Sequence, residues 1–375
     1  MDRAKCTGQA KRVVVKVGTN VMATPSGRLD SQKMGDLVRQ ITELTKRGIK
    51  MILVSSGAIA AGLQKLGIEE RPTAIPELQA TASVGQGILL HQYINLFGKH
   101  DVKVGQVLLT QYDITHRQQY VNASNTFEKL FDLDVVPIVN ENDTTAVDEI
   151  KFGENDTLAA LVANLVKADL LIILSDVEGL YTANPNRDRT ARLISEVREI
   201  TPEIEEKAGG ADTTFGSGGM ITKLQAARIV TLAGAGMVVA AGERENALLD
   251  IMAGEPVGTF FYPKKKKMGS RKAWIAFGRM TKGSVVVDDG AKEAILKKGK
   301  SLLPAGIVKC QGDFSIGDAI YIKDMNGNVI AKGLASFSCK ELSSITGLKS
   351  EEISKKIKGV SSEEAVHRDC LVVFK

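Results

Sequence analysis

The chain has 375 residues, of which 43% are hydrophobic and 25% charged, a composition typical of globular proteins and long enough for two domains. Four cysteines without CxxC spacing and only four histidines exclude a zinc pattern and fit a reducing cytosol. The longest aliphatic run, "LLIIL" from Leu170, is too short to span a bilayer, and the polar N-terminus lacks the apolar region of a secretory signal. We therefore expect a cytoplasmic protein without membrane contact.

The charge is unevenly distributed along the chain. Residues 1–262 carry 27 Lys and Arg against 32 Asp and Glu, whereas residues 263–375 carry 22 against 12. The change falls at "YPKKKKMGSRK", which is typical of an exposed linker. The sequence thus predicts a body over 1–262, a basic linker over 263–280 and a second domain over 281–375. A basic second domain could contact nucleic acid, although a solvated surface explains the same charge.

Up to about Gly258, apolar strand candidates alternate with amphipathic helices. One such helix, "MGDLVRQITELTKRG", carries Lys46 and Arg47 in its last turn and closes on Gly48, as a helix C-terminus should. Repeated βα units predict a three-layer α/β/α sandwich with a mostly parallel central sheet, in which ligands bind beyond the carboxyl ends of the strands. The strand candidates are "VVVKV", "KMILVS", "VGQVLL", "VVPIVN", "LLIILSD" and "GMVVAAG".

After Arg271 the pattern changes to short strand candidates separated by turns. Two short helices, near Glu293 and Glu351, interrupt them. This pattern predicts a small, β-rich domain rather than a continuation of the first sheet. Its strand candidates are "SVVVDD", "AIYIKD", "VIAKGLASF" and "CLVVF".

The first strand contains an unexpected cation. Lys16 stands among valines at 13, 14, 15 and 17, and the strand reads as apolar on both faces. A lysine that reaches solvent from an edge strand fits this pattern poorly. We therefore interpret Lys16 as a desolvated group whose charge is compensated by an anionic ligand.

Two further strands end in polar clusters. Ser55, Ser56 and Gly57 lead from a strand into a helix, whose N-terminus could bind an anion, although for this segment taken alone a plain serine N-cap is the better explanation. In "IVNENDTTAVDEIKFGENDTLAA", Asn140 to Asp143 follow a strand, and Glu154 to Asp156 open the next helix. Such residues also form turns and caps. Their density favours a functional role, because buried carboxylates require cations or donors.

Two glycine-containing segments complete the set. "GSGGMITKLQAA" places Gly216, Gly218 and Gly219 before a helix that carries Lys223, an arrangement suited to a phosphate although it is not a Walker A motif. In "LSDVEGLYTANP", Ser175 and Asp176 follow a strand. The chain lacks GxSxG and HExxH motifs and any recognisable Cys–His pairing. Lysines, glycine-rich turns and helix N-termini instead indicate phosphoryl transfer, in which catalysis is mostly positioning and charge neutralisation.

At this point the motifs match a known family. Over essentially its whole length the sequence resembles the glutamate 5-kinase family of the amino-acid kinase superfamily, with a C-terminal RNA-binding-type PUA domain that forms a small β-rich pseudo-barrel. The matching segments are "VVVKVGTNV", "VSSGAIAAG", "VGQVLLT", "PIVNENDT", "EIKFGENDTLAA", "SDVEGLYTANP" and "GSGGMITKLQAA", followed by "GAKEAILKKGKSLLPAGI", "GDFSIGDAIYI" and "AVHRDCLVV". The chain departs from the family at Asn20, Ser55 and Asn184, where serine, threonine and aspartate are common.

The resemblance implies transfer of the ATP γ-phosphate to the side-chain carboxylate of L-glutamate, the first step of proline synthesis. It implies catalytic roles for Lys16, Lys223 and Asp156, and Mg²⁺ as a cofactor that bridges phosphate oxygens. It places glutamate at Ser56, Asp143 and Asn155. The implied ATP-site residues are Lys16, Ser175, Asp176, Ser217, Gly218, Gly219, Met220, Ile221, Thr222 and Lys223.

The resemblance also implies partners. They are proline as a feedback inhibitor, a separate glutamyl phosphate reductase, and a homodimer or homotetramer formed through the kinase domain. Two alternatives stay open. The chain could be another amino-acid kinase, acting on acetylglutamate, aspartate, carbamate or a nucleoside monophosphate. It could also be an RNA-binding protein with a vestigial kinase body, although no interleaved set of aromatic residues for base stacking is present.

Overall fold

The computed structural model describes residues 2–24, 28–110, 113–114, 117–145, 155–185, 188–208, 219–264, 272, 275–276, 281–348 and 363–374. The chain divides into two units, Met1–Lys267 and Met268–Lys375. Most of the basic linker predicted at 263–280 lies outside the described residues, so the boundaries at 262 and 281 stay predictions.

The first unit alternates strands and helices, as the sequence predicts. Its strands are β1 (Arg12–Val17), β2 (Lys50–Val54), β3 (Lys103–Leu109), β4 (Val135–Glu141), β5 (Leu170–Ser175), β6 (Glu196–Val197), β7 (Gly236–Ala241) and β8 (Thr259–Phe261). Its helices are α1 (Arg3–Gly8), α2 (Thr19–Met22), α3 (Ser31–Lys46), α4 (Ala58–Leu66), α5 (Ile75–Gly98), α6 (Arg117–Asp132), α7 (Asn155–Leu165), α8 (Pro202–Ala208), α9 (Met220–Ala233) and α10 (Ala247–Ala253).

The eight strands form one sheet in the order β3-β4-β2-β1-β5-β7-β8-β6. Neighbouring strands from β3 through β7 are parallel, whereas β8 runs antiparallel to β7. The predicted α/β sandwich with a mostly parallel sheet is therefore confirmed, and all six predicted strands of this unit are present. The sequence analysis missed β6 and β8, which span only 2 and 3 residues.

The alternation of side chains in β1 explains how a lysine can end a buried strand. Val13, Val15 and Val17 belong to the core that is formed with α3, α5 and α10. Because successive residues of a strand point to opposite faces, Lys16 points toward the face covered by α7 and α9. Since β1 lies near the middle of the sheet, Lys16 is covered by protein on both sides.

Helices α4 and α5 pack with their backbones in direct contact. A Cβ atom at Gly85 would lie 1.8 Å from the carbonyl oxygen of Ala58, and a Cβ at Gly62 would lie 2.0 Å from that of Thr81. Side chains cannot be accommodated at such distances, so only glycine fits at this crossing. The close approach attaches α5 firmly to the helix that follows the polar turn after β2.

Gly85→Ala should destabilise the first unit by about 1–3 kcal/mol or more, because the added methyl group must push two backbones apart. Gly87 is the matched control on the same helix, since nothing lies within 4 Å of a Cβ there. Gly87→Ala should stabilise the unit by about 0.5–1 kcal/mol through helix propensity. Urea unfolding followed by far-UV circular dichroism measures the free energy of unfolding of both variants. Equal effects of the two substitutions would contradict the close backbone contact between α4 and α5.

The second unit is β-rich, as predicted. Its strands are β9 (Thr281–Val287), β10 (Ile307–Gly312), β11 (Ala319–Lys323), β12 (Val329–Leu334) and β13 (Leu371–Val373), and its helices are α11 (Asp289–Leu296) and α12 (Cys339–Ile345). The strands form a five-stranded sheet in the order β10-β9-β11-β12-β13. All neighbouring pairs are antiparallel except β9 and β11. The sequence analysis missed β10 and α12, and its helix near Glu351 lies outside the described residues.

The turn between β11 and β12 is organised by Asp324. One carboxylate oxygen accepts hydrogen bonds from the backbone N–H groups of Asn326 and Asn328 at 3.0 and 2.9 Å. The other accepts from Lys292 Nζ of α11 at 2.8 Å. The Lys292 hydrogen bond is the main cause that lowers the pKa of Asp324 to about 2. The ionised carboxylate therefore holds the turn and the helix together.

Asp324→Asn should lower the free energy of unfolding of the second unit at neutral pH. The folded pKa of about 2 lies below the unfolded value of about 3.9, so the stabilisation is present above about pH 4. It is lost as the pH falls through about 2, and the difference between wild type and variant should shrink there. Denaturant unfolding across this pH range tests the trend. Asp313→Asn, at an exposed position, is the control that should leave the free energy of unfolding nearly unchanged at neutral pH.

Candidate active site

Four adjacent strands bring the predicted polar residues to one edge of the sheet. In the sheet, β4, β2, β1 and β5 are consecutive neighbours and parallel, so their carboxyl ends meet. Lys16 pairs in register with Val54 of β2 and with Ile173 of β5. Ser55 and Ser175 therefore follow at the strand ends on either side of Lys16.

The first group is the lysine–aspartate cluster, which consists of Lys16, Asp156, Thr222 and Lys223. Lys16 Nζ lies 2.6 Å from Asp156 Oδ1, and Lys223 Nζ lies 3.1 Å from Asp156 Oδ2. Thr222 Oγ1 donates a hydrogen bond to the same Oδ2 at 3.0 Å. The two lysines are only 8% and 3% exposed, and Asp156 is fully buried. Two ammonium groups from distant parts of the chain thus meet on one carboxylate.

The charge state of Asp156 follows from its two partners. Burial disfavours the ionised form of the carboxyl, but the positive charges of Lys16 and Lys223 outweigh burial and lower its pKa. The cluster carries one negative and two positive charges, so a net positive charge remains at the sheet edge. An incoming anion would find this charge already in place.

The second group is a hydrogen-bond network around Asn155, the first residue of α7. Its Nδ2 atom lies 2.6 Å from Ser55 O, 3.1 Å from Ser56 Oγ and 2.9 Å from Asn140 Oδ1. Asn140 in turn donates to Gln86 Oε1 of α5 at 2.7 Å. The network fixes the serine turn (Ser55, Ser56 and Gly57). Gly57 has φ of +102°, a left-handed conformation that favours glycine.

The third group lies at the end of β5. Asp176 accepts hydrogen bonds from Ser175 Oγ at 3.0 Å and from Asn20 Nδ2 at 3.1 Å. Burial alone would raise the pKa of Asp176, but the hydrogen bonds from Asn20 and Ser175 outweigh it, and the pKa is lowered. Asp176 is therefore an anion at neutral pH, and it interacts electrostatically with Lys223 of the lysine–aspartate cluster.

The structure brings together most of the predicted site residues that it describes. Lys16, Asp156, Thr222 and Lys223 are in contact, as are Ser56 with Asn155 and Ser175 with Asp176. Three other predicted residues directly precede Thr222 along the chain. Gly219 precedes α9 as its N-cap, and Met220 and Ile221 begin the helix, with the Ile221 side chain half exposed. Asp143 lies in the turn that follows β4, and Ser217 and Gly218 lie outside the described residues.

Several contacts were not predicted from the sequence. Asn20 was noted only as a departure from the family, and Asn140 only as part of a polar cluster, so a signal for both was present. Gln86, and Tyr93, whose hydroxyl lies 2.9 Å from Ser55 Oγ, belong to the 24-residue helix α5. Nothing in the sequence distinguishes them from other residues of a packed helix.

Comparison with known proteins agrees with this fold. Residues 11–240 match the amino acid kinase family, and residues 283–357 match the PUA domain. A protein named glutamate 5-kinase from Carboxydothermus hydrogenoformans is 47% identical over 364 residues, which cover 97% of each chain. Another of the same name from Syntrophotalea carbinolica is 46% identical over 373 residues and 100% of both chains. A carbamate kinase structure from Giardia lamblia with bound AMP-PNP is 19% identical, covers 68% of this chain and all of that chain, and has a TM-score of 0.49.

The fold, the lysine–aspartate cluster and the family matches define an amino-acid kinase with an appended PUA domain. Within that class, the relatives that are 46% and 47% identical over nearly the whole chain are both glutamate 5-kinases by name. The chain belongs to the glutamate 5-kinase family.

Two negative findings concern only the part of the chain that the structure describes. There, no helix combines the length and the apolar character needed to cross a membrane. Nor do three or more His, Cys, Asp or Glu side chains gather in a way that could hold a metal ion.

Asp156→Asn should lower the free energy of unfolding of the first unit by about 3–5 kcal/mol, because two desolvated ammonium groups then lose their counter-charge. Lys16→Met should cost less, since Asp156 stays paired with Lys223. Urea unfolding at neutral pH compares the two variants with wild type. A variant Asp156→Asn as stable as wild type would show that the carboxylate does not hold the cluster together.

Proposed function

We propose that this chain transfers the γ-phosphate of ATP to the side-chain carboxylate of L-glutamate and releases L-glutamyl 5-phosphate and ADP. The observation that carries the proposal is the lysine–aspartate cluster at the carboxyl edge of the sheet, in a chain of the glutamate 5-kinase family. A carboxylate oxygen of glutamate attacks the γ-phosphorus, and the bond to the β–γ bridging oxygen breaks, so that ADP leaves with that electron pair.

The charges of the reactants explain why buried lysines are needed. Glutamate has an ordinary side-chain pKa of about 4.3, so its carboxylate is ionised at neutral pH and requires no general base. The difficulty is to bring this anion to a polyanionic nucleotide. In our proposal Lys16 and Lys223 neutralise the transferring phosphoryl group, and Asp156 holds both in position beforehand. Preorganised charge of this kind contributes more than charge that must be assembled during the reaction.

The other residues are assigned by their place around the cluster. We propose that Ser56, Asn155 and Asp143 bind glutamate, with Asp143 facing its ammonium group and Ser56 a carboxylate. Ser175 and Asp176 would contact ATP from the end of β5. The segment from Ser217 to Lys223 would approach the phosphates from the start of α9.

Mg²⁺ fits this site only in a particular way. Asp156 Oδ2 is contacted by Lys223 and Thr222, and Oδ1 forms an ion pair with Lys16 but accepts no hydrogen bond from any residue that the structure describes. Among the described residues no cage of carboxylates is available. These residues fit a metal ion that is carried mainly by the nucleotide phosphates, as is common for Mg²⁺. When bound, the ion would neutralise phosphate charge beside the two lysines.

The product places the chain in a reaction sequence. Glutamyl phosphate is a labile acyl phosphate, and a separate reductase would consume it on the way to proline. We propose proline as a feedback inhibitor, a cytoplasmic location and a homodimer or homotetramer formed through the kinase domain. These assignments rest on the family to which the chain belongs.

The proposal is tested by offering ATP, Mg²⁺ and one acceptor at a time to the purified full chain. The acceptors are L-glutamate, N-acetyl-L-glutamate, L-aspartate, carbamate and UMP. ADP release should depend on glutamate, and hydroxylamine should trap the acyl phosphate as a hydroxamate. Added proline should reduce this turnover. Faster turnover with any of the other acceptors would overturn the assignment of glutamate.

RNA binding is the alternative that the basic second unit and its PUA match favour. Such contacts are strongest at low salt. Titration of the full chain with tRNA at low ionic strength tests it, and an absence of binding there would exclude the alternative.

Lys16→Ala and Lys223→Ala should each reduce turnover at least about a hundredfold, because losing one preorganised donor costs on the order of 3 kcal/mol in the transition state. Lys33→Ala removes a partly exposed lysine of α3 that pairs with Glu243, and it should leave turnover nearly unchanged. Steady-state kinetics on variants with native circular dichroism spectra provide the comparison. A folded Lys16→Ala variant with normal turnover would refute its role.

A further inference from the structure

A buried phenol lies beneath the proposed glutamate site. Tyr93 of α5 is fully buried, and its hydroxyl oxygen lies 2.9 Å from Ser55 Oγ and 2.9 Å from Met22 Sδ. Ser55 Oγ also lies 3.2 Å from the carbonyl oxygen of Ser56. Either Ser55 donates to Tyr93 and Tyr93 donates to the sulfur, or Tyr93 donates to Ser55 and Ser55 donates to the Ser56 carbonyl oxygen; the Tyr93–Ser55 hydrogen bond is present in both cases. Burial raises the pKa of Tyr93, so its hydroxyl keeps its proton.

The position does not require a hydroxyl for packing. Tyr93 belongs to the same apolar core as Phe97, whose ring centroid is 6.4 Å away. Phenylalanine would fill nearly the same volume, and burying an unneeded hydroxyl is unfavourable. What the hydroxyl adds is a hydrogen bond to Ser55, since a thioether sulfur is only a weak acceptor.

Ser55 is held from two directions. Its side chain contacts Tyr93, and its carbonyl oxygen accepts a hydrogen bond from Asn155 Nδ2 at 2.6 Å. The next residue is Ser56, which also contacts Asn155. The orientation of Ser56 therefore depends on how firmly Ser55 is fixed.

Helix α5, which carries Tyr93, is closely packed against α4. Its backbone touches α4 at Gly62 and Gly85, and α4 begins directly after the serine turn. Tyr93 and the serine turn are thus parts of one packed block. The hydroxyl contact fixes the turn within this block rather than tethering it to a separate element.

We propose that Tyr93 is a positioning residue for the acceptor substrate, which acts through Ser55 to hold Ser56 in the orientation that binds glutamate. This inference rests on the proposed function. The hydroxyl of Tyr93 contacts Ser55 and Met22, which lie outside the lysine–aspartate cluster, so its effect should fall on glutamate rather than on ATP.

Tyr93→Phe should raise KM for glutamate about threefold to tenfold, the range expected for one neutral hydrogen bond, and leave KM for ATP within about twofold. Ser55→Ala should have a similar effect. Because both variants remove the same contact, the double variant should be no worse than Ser55→Ala alone. Tyr262→Phe is the control, since it removes the hydroxyl of another buried tyrosine, which is hydrogen-bonded to Glu196 and follows β8, four strands away from β2 in the sheet.

A second measurement does not depend on turnover. Hydrogen exchange of the backbone amides in residues 55–61 should be about threefold to tenfold faster in Tyr93→Phe than in wild type or Tyr262→Phe. An unchanged glutamate KM together with unchanged exchange would overturn the inference, even if Tyr93→Phe lowered overall stability. A wild-type chain without glutamate-dependent turnover would overturn the proposed function instead, and the exchange data would still decide whether Tyr93 holds the turn.

Discussion

The carboxylate of Asp156 lies between two ammonium groups that would otherwise repel each other in a desolvated environment. One oxygen faces Lys16 and the other faces Lys223, with Thr222 as a further donor. A single buried anion could not be tolerated there without partners, and neither could two buried cations. Each lysine depends on this carboxylate for its counter-charge, and the sum of the three charges leaves positive charge at the edge of the sheet. The proposed chemistry uses this remaining charge.

The layered fold supplies the three charged residues of the cluster from three different elements. Alternation along β1 directs Lys16 away from the core of α3, α5 and α10, toward the face where α7 and α9 begin. Asp156 is the second residue of α7 and Lys223 the fourth of α9, so both side chains lie in a first helical turn. The parallel arrangement of strands places these turns at the same edge. The site is thus a consequence of strand order and helix starts.

Much of this arrangement can be predicted from the sequence. The remainder cannot, for physical reasons. Runs of apolar residues identify the long strands, and Lys16 stands out because a charge interrupts such a run. Strands β6 and β8 are too short to produce a recognisable hydrophobic periodicity. Hydrophobic patterns report burial, but they do not report which buried polar groups meet. The contacts of Asn155 with Asn140, and of Tyr93 with Ser55, depend on distances between elements and are therefore seen only in the folded chain.

The order of strands in the sheet also bears on synthesis at the ribosome. Strand β1 emerges first, yet both of its neighbours, β2 and β5, follow later, and β5 pairs only after residue 170 has been made. Lys223 arrives later still. A nascent chain of about two hundred residues could thus pair Lys16 with Asp156 but would lack the second cation. In the proposed mechanism phosphoryl transfer requires Lys223, so it would have to wait until α9 is translated.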